Sequence, residues 1–294
     1  MDRPETTVGA AVRNATAALG NAGIGGSRDE AEIILAAVMK IPRWKLIVDS
    51  GQKIPPRVEE AYEKAVLARA GRCPLPYILG VKEFYGADFH VSPAVLIPRP
   101  ETEFVVEAVM AALGENGSAK GEGLNIIEMG TGSGAIVVTL ARLLPAARFQ
   151  AVDISAAALS IARRNALNQG VEKRIRFLKS DYWKIFDGRE ERFEVIVSNP
   201  PYIPSSKIKT LSPEIKDHEP TRALDGGRDG LDSYRSLLSG LREHATPSAL
   251  LVMEIGVEVA DAVKELCKQV AMVASLKVIK DYQGHDRVVV ARLR

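Results

Sequence analysis

Asn199, Pro200, Pro201 and Tyr202 stand in a row in the stretch VSNPPYIPSS, at the end of the strand-like run FEVIVSN. The asparagine side chain carries an acceptor oxygen, and the carbonyl of Pro200 is another. Two acceptors converging on one point suit a planar –NH2 group, which has two hydrogens to donate. Each proline has a fixed φ and no N–H, so the carbonyls are presented with little freedom left to lose. Tyr202 adds an aromatic face against which a flat amide or base can stack. Such a clamp serves a poor nitrogen nucleophile, whose lone pair is delocalised. Accepting both hydrogens orients the group and lets charge leave them as the nitrogen attacks. Taken alone, the same residues also make a proline-stiffened loop with a capping asparagine, so their neighbours decide the reading.

The neighbours carry chemistry of their own. In EMGTGSGA, Gly130, Thr131, Gly132, Ser133 and Gly134 follow one strand-like run and open a helical one. Glycines there let the backbone turn tightly and approach a ligand, while the helix start offers unpaired N–H groups. Asp153 ends the next strand-like run, at the spacing of about twenty residues where a carboxylate can accept both hydroxyls of a ribose. Two ligands fit: a dinucleotide or S-adenosylmethionine. The glycines read G-x-G-x-G rather than G-x-G-x-x-G, which favours the methyl donor. The plain alternative is a turn beside a surface aspartate.

These loops need a scaffold, and the rest of the chain supplies one. After Glu103 short apolar runs alternate with helical patterns: LNIIEMG, RFQAVDIS, RIRFLKS, FEVIVSN, SALLVMEIG and RVVVARL read as strands, with GAIVVTLARLL, AALSIARRNALNQG and LDSYRSLLSGLREHA as helices between them. That alternation predicts βαβ units and a parallel sheet covered on both faces. Ligands of such sheets bind at the carboxyl ends of the strands. The rule marks Gly130 to Gly134, Asp153, Asp181 with Tyr182, Asn199 to Tyr202, and Glu254, the last expected to be a structural carboxylate.

Upstream, residues 1–73 read as a helical domain. SRDEAEIILAAVMK opens with a Ser27/Glu30 capping box and places Ile33, Ile34, Ala37 and Val38 on one face. PPRVEEAYEKAVLARAG begins on prolines, repeats Val58, Ala61, Ala65 and Val66, and stops at Gly71. Residues 74–105 are proline-rich with short alternating runs, a linker holding a β-hairpin with strands near Lys82–Tyr85 and Asp88–Val91. Residues 106–294 form the third segment, an α/β domain.

Composition narrows the function classes. The chain has 294 residues, 46% hydrophobic and 26% charged, enough for a sizeable core. A formal net charge of +2 argues against a surface built for long nucleic acids. The two cysteines, Cys73 and Cys267, have no partner at metal spacing and read as free thiols of a reducing compartment. The four histidines show no ligand spacing, so no metal is expected. The opening MDRPETTVGA lacks the apolar segment of a secretory signal, and no apolar run spans a bilayer. A cytoplasmic protein, monomeric by default, is expected.

With NPPYIP and MGTGSGAI, the stretches EFYG, LIPRPETE and HEPTRALDGGRDGLDSYR give the chain a resemblance to the PrmC/HemK family. These enzymes methylate the N5 side-chain nitrogen of glutamine in peptide chain release factors. The likeness runs from about Pro74 to the C-terminus, and the helical region has the family's size and position. It implies a Rossmann-like, seven-stranded sheet ending in a reversed strand. It implies that Gly130–Gly134 and Asp153 hold S-adenosylmethionine, leaving S-adenosylhomocysteine as product. Asn199 to Tyr202 would then hold the glutamine of the Gly-Gly-Gln loop of class-1 release factors, with the helical domain docking another face of the factor. Family members often carry tryptophan after the aspartate of the third strand, as a wall by the adenine; here SDYW places Asp181 and Tyr182 there and Trp183 one position later. The rival reading is methylation of an exocyclic amine on DNA or RNA, since NPPY also serves a flipped base. A cofactor-binding module without activity would need a damaged clamp or loop, and both are intact.

Overall fold

The computed structural model describes residues 6–115 and 120–294, so residues 1–5, part of the stretch read for a secretory signal, lie outside it. The chain forms two compact units: Met1–Val81 with Ser212–His218, and Lys82–Leu211 with Glu219–Arg294.

The first unit is helical. Thr7 caps α1 (Val8–Asn21) by accepting the Ala10 N–H, and α2 (Ser27–Met39), α3 (Arg43–Val48), α4 (Pro56–Ala70) and α5 (Leu75–Leu79) follow. Leu19, Ile34, Leu35, Tyr62 and Val66 fill the core, and the Tyr62 hydroxyl donates to the Ala31 carbonyl at 2.9 Å. The predicted faces are each displaced. Ala37 and Ala61 are exposed, while Ala31 and Leu35 on α2 and Tyr62 on α4 point inward. Leucine and tyrosine bury far more apolar area than alanine, so the helices turn those positions to the core. The capping box is also absent. Gly26, in the left-handed region, precedes α2 without a side-chain cap, and the Glu30 carboxylate instead receives the Arg69 guanidinium. The guanidinium offers that carboxylate a full opposite charge, which a backbone N–H does not. Glu214, in the short helix α9 (Pro213–Lys216), pairs with Arg69 and Arg72.

From Lys82 the second unit opens within the hairpin of β1 (Val81–Phe84) and β2 (Ala87–His90). Its strands sit one residue earlier than predicted, because Tyr85 and Gly86 both take positive φ and occupy the two turn positions. After α6 (Glu103–Glu115) come β3 (Asn125–Met129), α7 (Ala135–Leu143), β4 (Arg148–Asp153), α8 (Ala156–Asn168), β5 (Ile175–Lys179) and β6 (Phe193–Ser198). The chain closes with α10 (Asp232–Ser239), α11 (Leu241–His244), β7 (Ala245–Glu254), α12 (Ala260–Gln269), β8 (Val273–Lys280) and β9 (Asp286–Leu293).

The seven strands lie in the order β5-β4-β3-β6-β7-β9-β8, and β9 runs antiparallel to both β7 and β8. This is the expected α/β architecture with its reversed last strand. β8 is the strand that apolar runs do not reveal: at the sheet edge it interleaves Ser275, Lys277 and Lys280 with apolar residues. Alternation along β3 separates two cores. Ile126 packs with Val106, Val137 and Leu140 on one face, and Ile127 and Met129 pack with Tyr234, Leu237 and Val263 on the other.

One buried side chain joins the hairpin, α8 and the glycine loop. Asn165 accepts the His90 N–H at 2.7 Å and donates to the carbonyls of His90 and Ser133 at 3.0 and 2.8 Å. Replacing Asn165 with alanine leaves these backbone groups without their partner, at about 1–3 kcal/mol for each group left buried and unsatisfied. Asn165→Ala should therefore lower the urea midpoint by the equivalent of at least about 2 kcal/mol, with the m-value unchanged.

Candidate active site

Strand register builds the site. Met129 on β3 pairs with Val152 on β4 and Ser198 on β6, and Ser198 pairs with Met253 on β7. The next residue on each strand is therefore Gly130, Asp153, Asn199 and Glu254, four groups side by side across the carboxyl edge of the parallel sheet. Parallel strands place their ends together in this way whenever helices carry each crossover.

The glycine loop is tied to its neighbour strand. Gly130 and Thr131 both donate to the Val152 carbonyl, at 2.8 and 3.0 Å. Asp153 then accepts the Gly132 N–H at 2.9 Å and the Ser155 N–H at 2.8 Å. Gly130, Gly132 and Gly134 all have positive φ, and a side chain on Gly134 would press on Ala162 of α8. Burial raises the Asp153 carboxyl above its ordinary value, against the lowering effect of those N–H groups and of Arg222. Its two oxygens keep acceptor capacity beyond these bonds, which suits a diol.

Gly130, Thr131, Gly132, Ser133, Asp153, Asp181, Tyr182, Asn199 and Pro201 line one cavity of about 640 Å³, within the roughly 300–1,000 Å³ typical of small-molecule sites. Gly134, Pro200 and Tyr202 are not among the residues that line it. Gly134 starts α7, Pro200 is buried, and the Tyr202 ring lies against Gly256, where an added Cβ would come within 2.5 Å of it. Among the described residues no group donates to the Asn199 side-chain oxygen or to the Pro200 carbonyl. The Asp181 carboxylate accepts the Lys184 ammonium. Tyr182 faces the cavity from a positive φ of 46°, a strained conformation for a residue with a side chain, and burial lifts its hydroxyl to about 12. Trp183 turns away: it is buried, donates to the Leu237 carbonyl at 2.9 Å and stacks on His244.

Several wall residues escape sequence reasoning. Glu128 precedes the glycine loop inside an apolar strand, where a carboxylate breaks the pattern. Fully buried, it is raised to about 8 by desolvation while accepting from Thr131 and the Val137 N–H. A cationic ligand group beside it would offset that penalty. Thr102, in LIPRPETE, is buried at the entrance of α6 and also lines the cavity. Its hydroxyl donates to Glu254 at 2.7 Å and accepts the Asn199 amide N–H at 3.1 Å. The Glu254 carboxyl, raised to about 7 by burial, also accepts from the Tyr202 hydroxyl at 3.3 Å.

The turn-rich DGGRDG stretch braces the loop after β6. Ile203 donates to the Leu224 carbonyl, Gly226 to that of Ile203 and Ser205 to that of Gly227, all within 2.9–3.0 Å, and Ala223, Asp225 and Arg222 reach the cavity. Two distant motifs are joined beneath it: Glu219 of HEPTR, its side chain 1% exposed, accepts the Arg99 guanidinium and the Ile97 N–H. No group of three or more His, Cys, Asp or Glu side chains suited to a metal gathers among the described residues. No described helix is long and apolar enough to cross a membrane.

The sheet order, the glycine loop and the acid after β4 define a methyltransferase-type α/β domain. Residues 10–80 match the family described as the PrmC N-terminal domain, and residues 106–215 match the methyltransferase small domain. The chain is 39% identical to the release factor glutamine methyltransferase of Moorella thermoacetica, over 98% of this chain and 99% of that protein. It is 38% identical to the protein of the same name from Cereibacter sphaeroides, over 96% and 97%. The solved hMettl16 catalytic domain shares the fold alone, with a TM-score of 0.53 at 14% identity over 81% of each chain. The chain belongs to the release factor glutamine methyltransferase family and is a methyltransferase.

The different surroundings of Tyr182 and Trp183 can be separated by experiment. Tyr182→Ala should weaken donor binding with little loss of stability, whereas Trp183→Ala should cost about 3–5 kcal/mol of folding free energy. Calorimetric titration with S-adenosylhomocysteine and urea unfolding of both variants read the difference.

Proposed function

We propose that this protein transfers a methyl group from S-adenosylmethionine to the N5 amide nitrogen of the glutamine in the Gly-Gly-Gln loop of class-1 peptide chain release factors, releasing S-adenosylhomocysteine. The observation that carries the reading is the pair of unengaged acceptors, Asn199 Oδ1 and the Pro200 carbonyl, one strand from the glycine loop and two from Asp153. The names of the relatives support the choice of substrate.

Asp153 has acceptor capacity for two ribose hydroxyls, the glycine loop offers backbone N–H groups, and Tyr182 and Asp181 complete the wall where an adenine would lie. Glu128 suits an ammonium end. S-adenosylmethionine, when bound, supplies the activated sulfonium methyl.

The chain's own residues handle the nucleophile. Asn199 and Pro200 take the two amide hydrogens, which fixes the plane of the group and turns its nitrogen lone pair toward the donor. Pro201 stiffens the loop, and Tyr202 backs it, held by Gly256 and Glu254. As the nitrogen gains its new bond, positive charge spreads onto the hydrogens that the two acceptors hold. No strong base is needed, because the proton leaves easily once the nitrogen is cationic. Holding the reactants in line supplies up to roughly 7–11 kcal/mol in the best intramolecular models, and each oriented polar group about 3 kcal/mol. All cavity residues come from one unit, Lys82–Leu211 with Glu219–Arg294. A release-factor substrate places the work in the cytoplasm, with the helical unit docking a second face of the factor.

Asn199→Ala should keep donor affinity and cut turnover about a hundredfold, the equivalent of roughly 3 kcal/mol. Asp153→Ala should instead weaken donor binding in calorimetry; unchanged affinity would remove Asp153 from the ribose. The deciding assay offers labelled donor with a release factor, its Gln→Ala loop variant, DNA and RNA. Label is expected only on the intact factor, and label on nucleic acid would replace this reading with the amine methyltransferase one.

A further inference from the structure

We infer that Thr102 and Glu254 are positioning residues that set which end of the Asn199 amide faces the substrate. The inference rests on the function proposed above and extends it to residues outside the four-residue clamp.

An asparagine amide has two ends of nearly equal size and opposite hydrogen-bonding character. A clamp for an –NH2 group works only with the oxygen toward the substrate. Turned over, it would set one –NH2 against another, and the substrate would lose an acceptor. The backbone of Asn199 does not make this choice, since both orientations occupy the same space.

The buried chain beside it does. Glu254, 1% exposed, is an acceptor when ionised and has no proton to donate. It takes the single Thr102 hydroxyl proton at 2.7 Å. Thr102 can then offer its neighbour only a lone pair. That lone pair receives the Asn199 Nδ2–H at 3.1 Å, which leaves Oδ1 to the cavity. Polarity runs one way, from Asn199 through Thr102 to Glu254. Thr102 is 4% exposed, so water does not freely substitute for a missing partner.

A proton on Glu254 would break this direction. The carboxyl would then donate to Thr102, and the Thr102 hydroxyl could turn to donate to Asn199 Oδ1, favouring the unproductive orientation. The groups that face Glu254 are Glu101 in the turn before α6, the hydroxyls of Thr102 and Tyr202, and Arg287 on β9, while the Tyr234 hydroxyl on α10 donates to the Glu254 main-chain carbonyl at 3.0 Å. Arg287 favours the ionised form but is itself paired with Asp281 at 2.9 Å. Burial and Glu101 oppose ionisation, which brings the carboxyl to about 7. For a raised carboxyl the ionised, directing form prevails above that value and is lost as pH falls through it.

The test compares Thr102→Val, Thr102→Ser and Glu254→Gln with the wild-type enzyme and Asn199→Ala. Thr102→Val keeps the shape and removes the hydroxyl. It should lower kcat at least tenfold and weaken affinity for a Gly-Gly-Gln peptide measured without donor, while donor affinity stays unchanged. Serine at 102 should restore most of both losses. Wild-type turnover should decline as pH drops below about 7, and Glu254→Gln, which cannot titrate, should lack that decline. Thr102→Val turning over like wild type while Asn199→Ala shows its large loss would overturn the positioning role and leave the clamp intact. A loss that serine does not rescue, or one shared by donor binding, would assign Thr102 to packing and overturn it too. Full activity in Asn199→Ala would instead defeat the clamp itself.

Discussion

The parallel pairing of β3 with β4 on one side and β6 on the other is the constraint on which everything else depends. Because Met129, Val152 and Ser198 share a row, the residues after them emerge side by side at one edge of the sheet. A slip of one residue in either pairing would reverse the faces of a whole strand and exchange the side chains that fill the two cores. The two apolar layers therefore enforce the alignment of Gly130, Asp153 and Asn199. Core packing and site geometry are one specification.

Around that edge the chain builds a polar interior, which is costly unless every group is paired. Glu254 receives Thr102 and Tyr202, Glu219 receives Arg99 and the Ile97 N–H, and Asn165 serves the hairpin and the glycine loop together. Each of these side chains joins segments more than thirty positions apart in sequence. Breaking one partner of such a pair is more damaging than replacing both with apolar groups. That asymmetry accounts for polar residues in places where leucine would pack as well. It also links the LIPRPETE and HEPTR stretches, otherwise remote, through Arg99 and Glu219.

How much could be read in advance depended on how local the cause was. Gly130 to Gly134, Asp153 and Asn199 were legible because strand ends and glycine spacing are local patterns, and the cavity gathers them save Gly134. Tyr202 was legible as the aromatic of NPPY, but its packing against Gly256 and its bond to Glu254 involve residues more than fifty positions away. Thr102 was visible only as one letter of a longer motif. Tyr182 was marked by its place directly after Asp181, with Trp183 one position later; a positive φ at Tyr182 and the burial of Trp183 against Leu237 and His244 separate them. The helical faces of α2 and α4 shifted for a similar reason, since larger side chains nearby claimed the core that alanines had been assigned.

The sequence by itself determined the class of fold, the alternation of strands and helices up to β7 and the glycine loop, because periodicity, glycine placement and proline act within a few residues of their position. Tertiary structure alone decided the direction of the Asn199 amide, the ionisation of Glu254 and Glu128 and the turning of Trp183 away from the cavity. Those properties belong to groups brought together from β3, β6, β7 and the turn before α6. Their energies depend on exclusion of water, which no segment achieves until the sheet has closed over it.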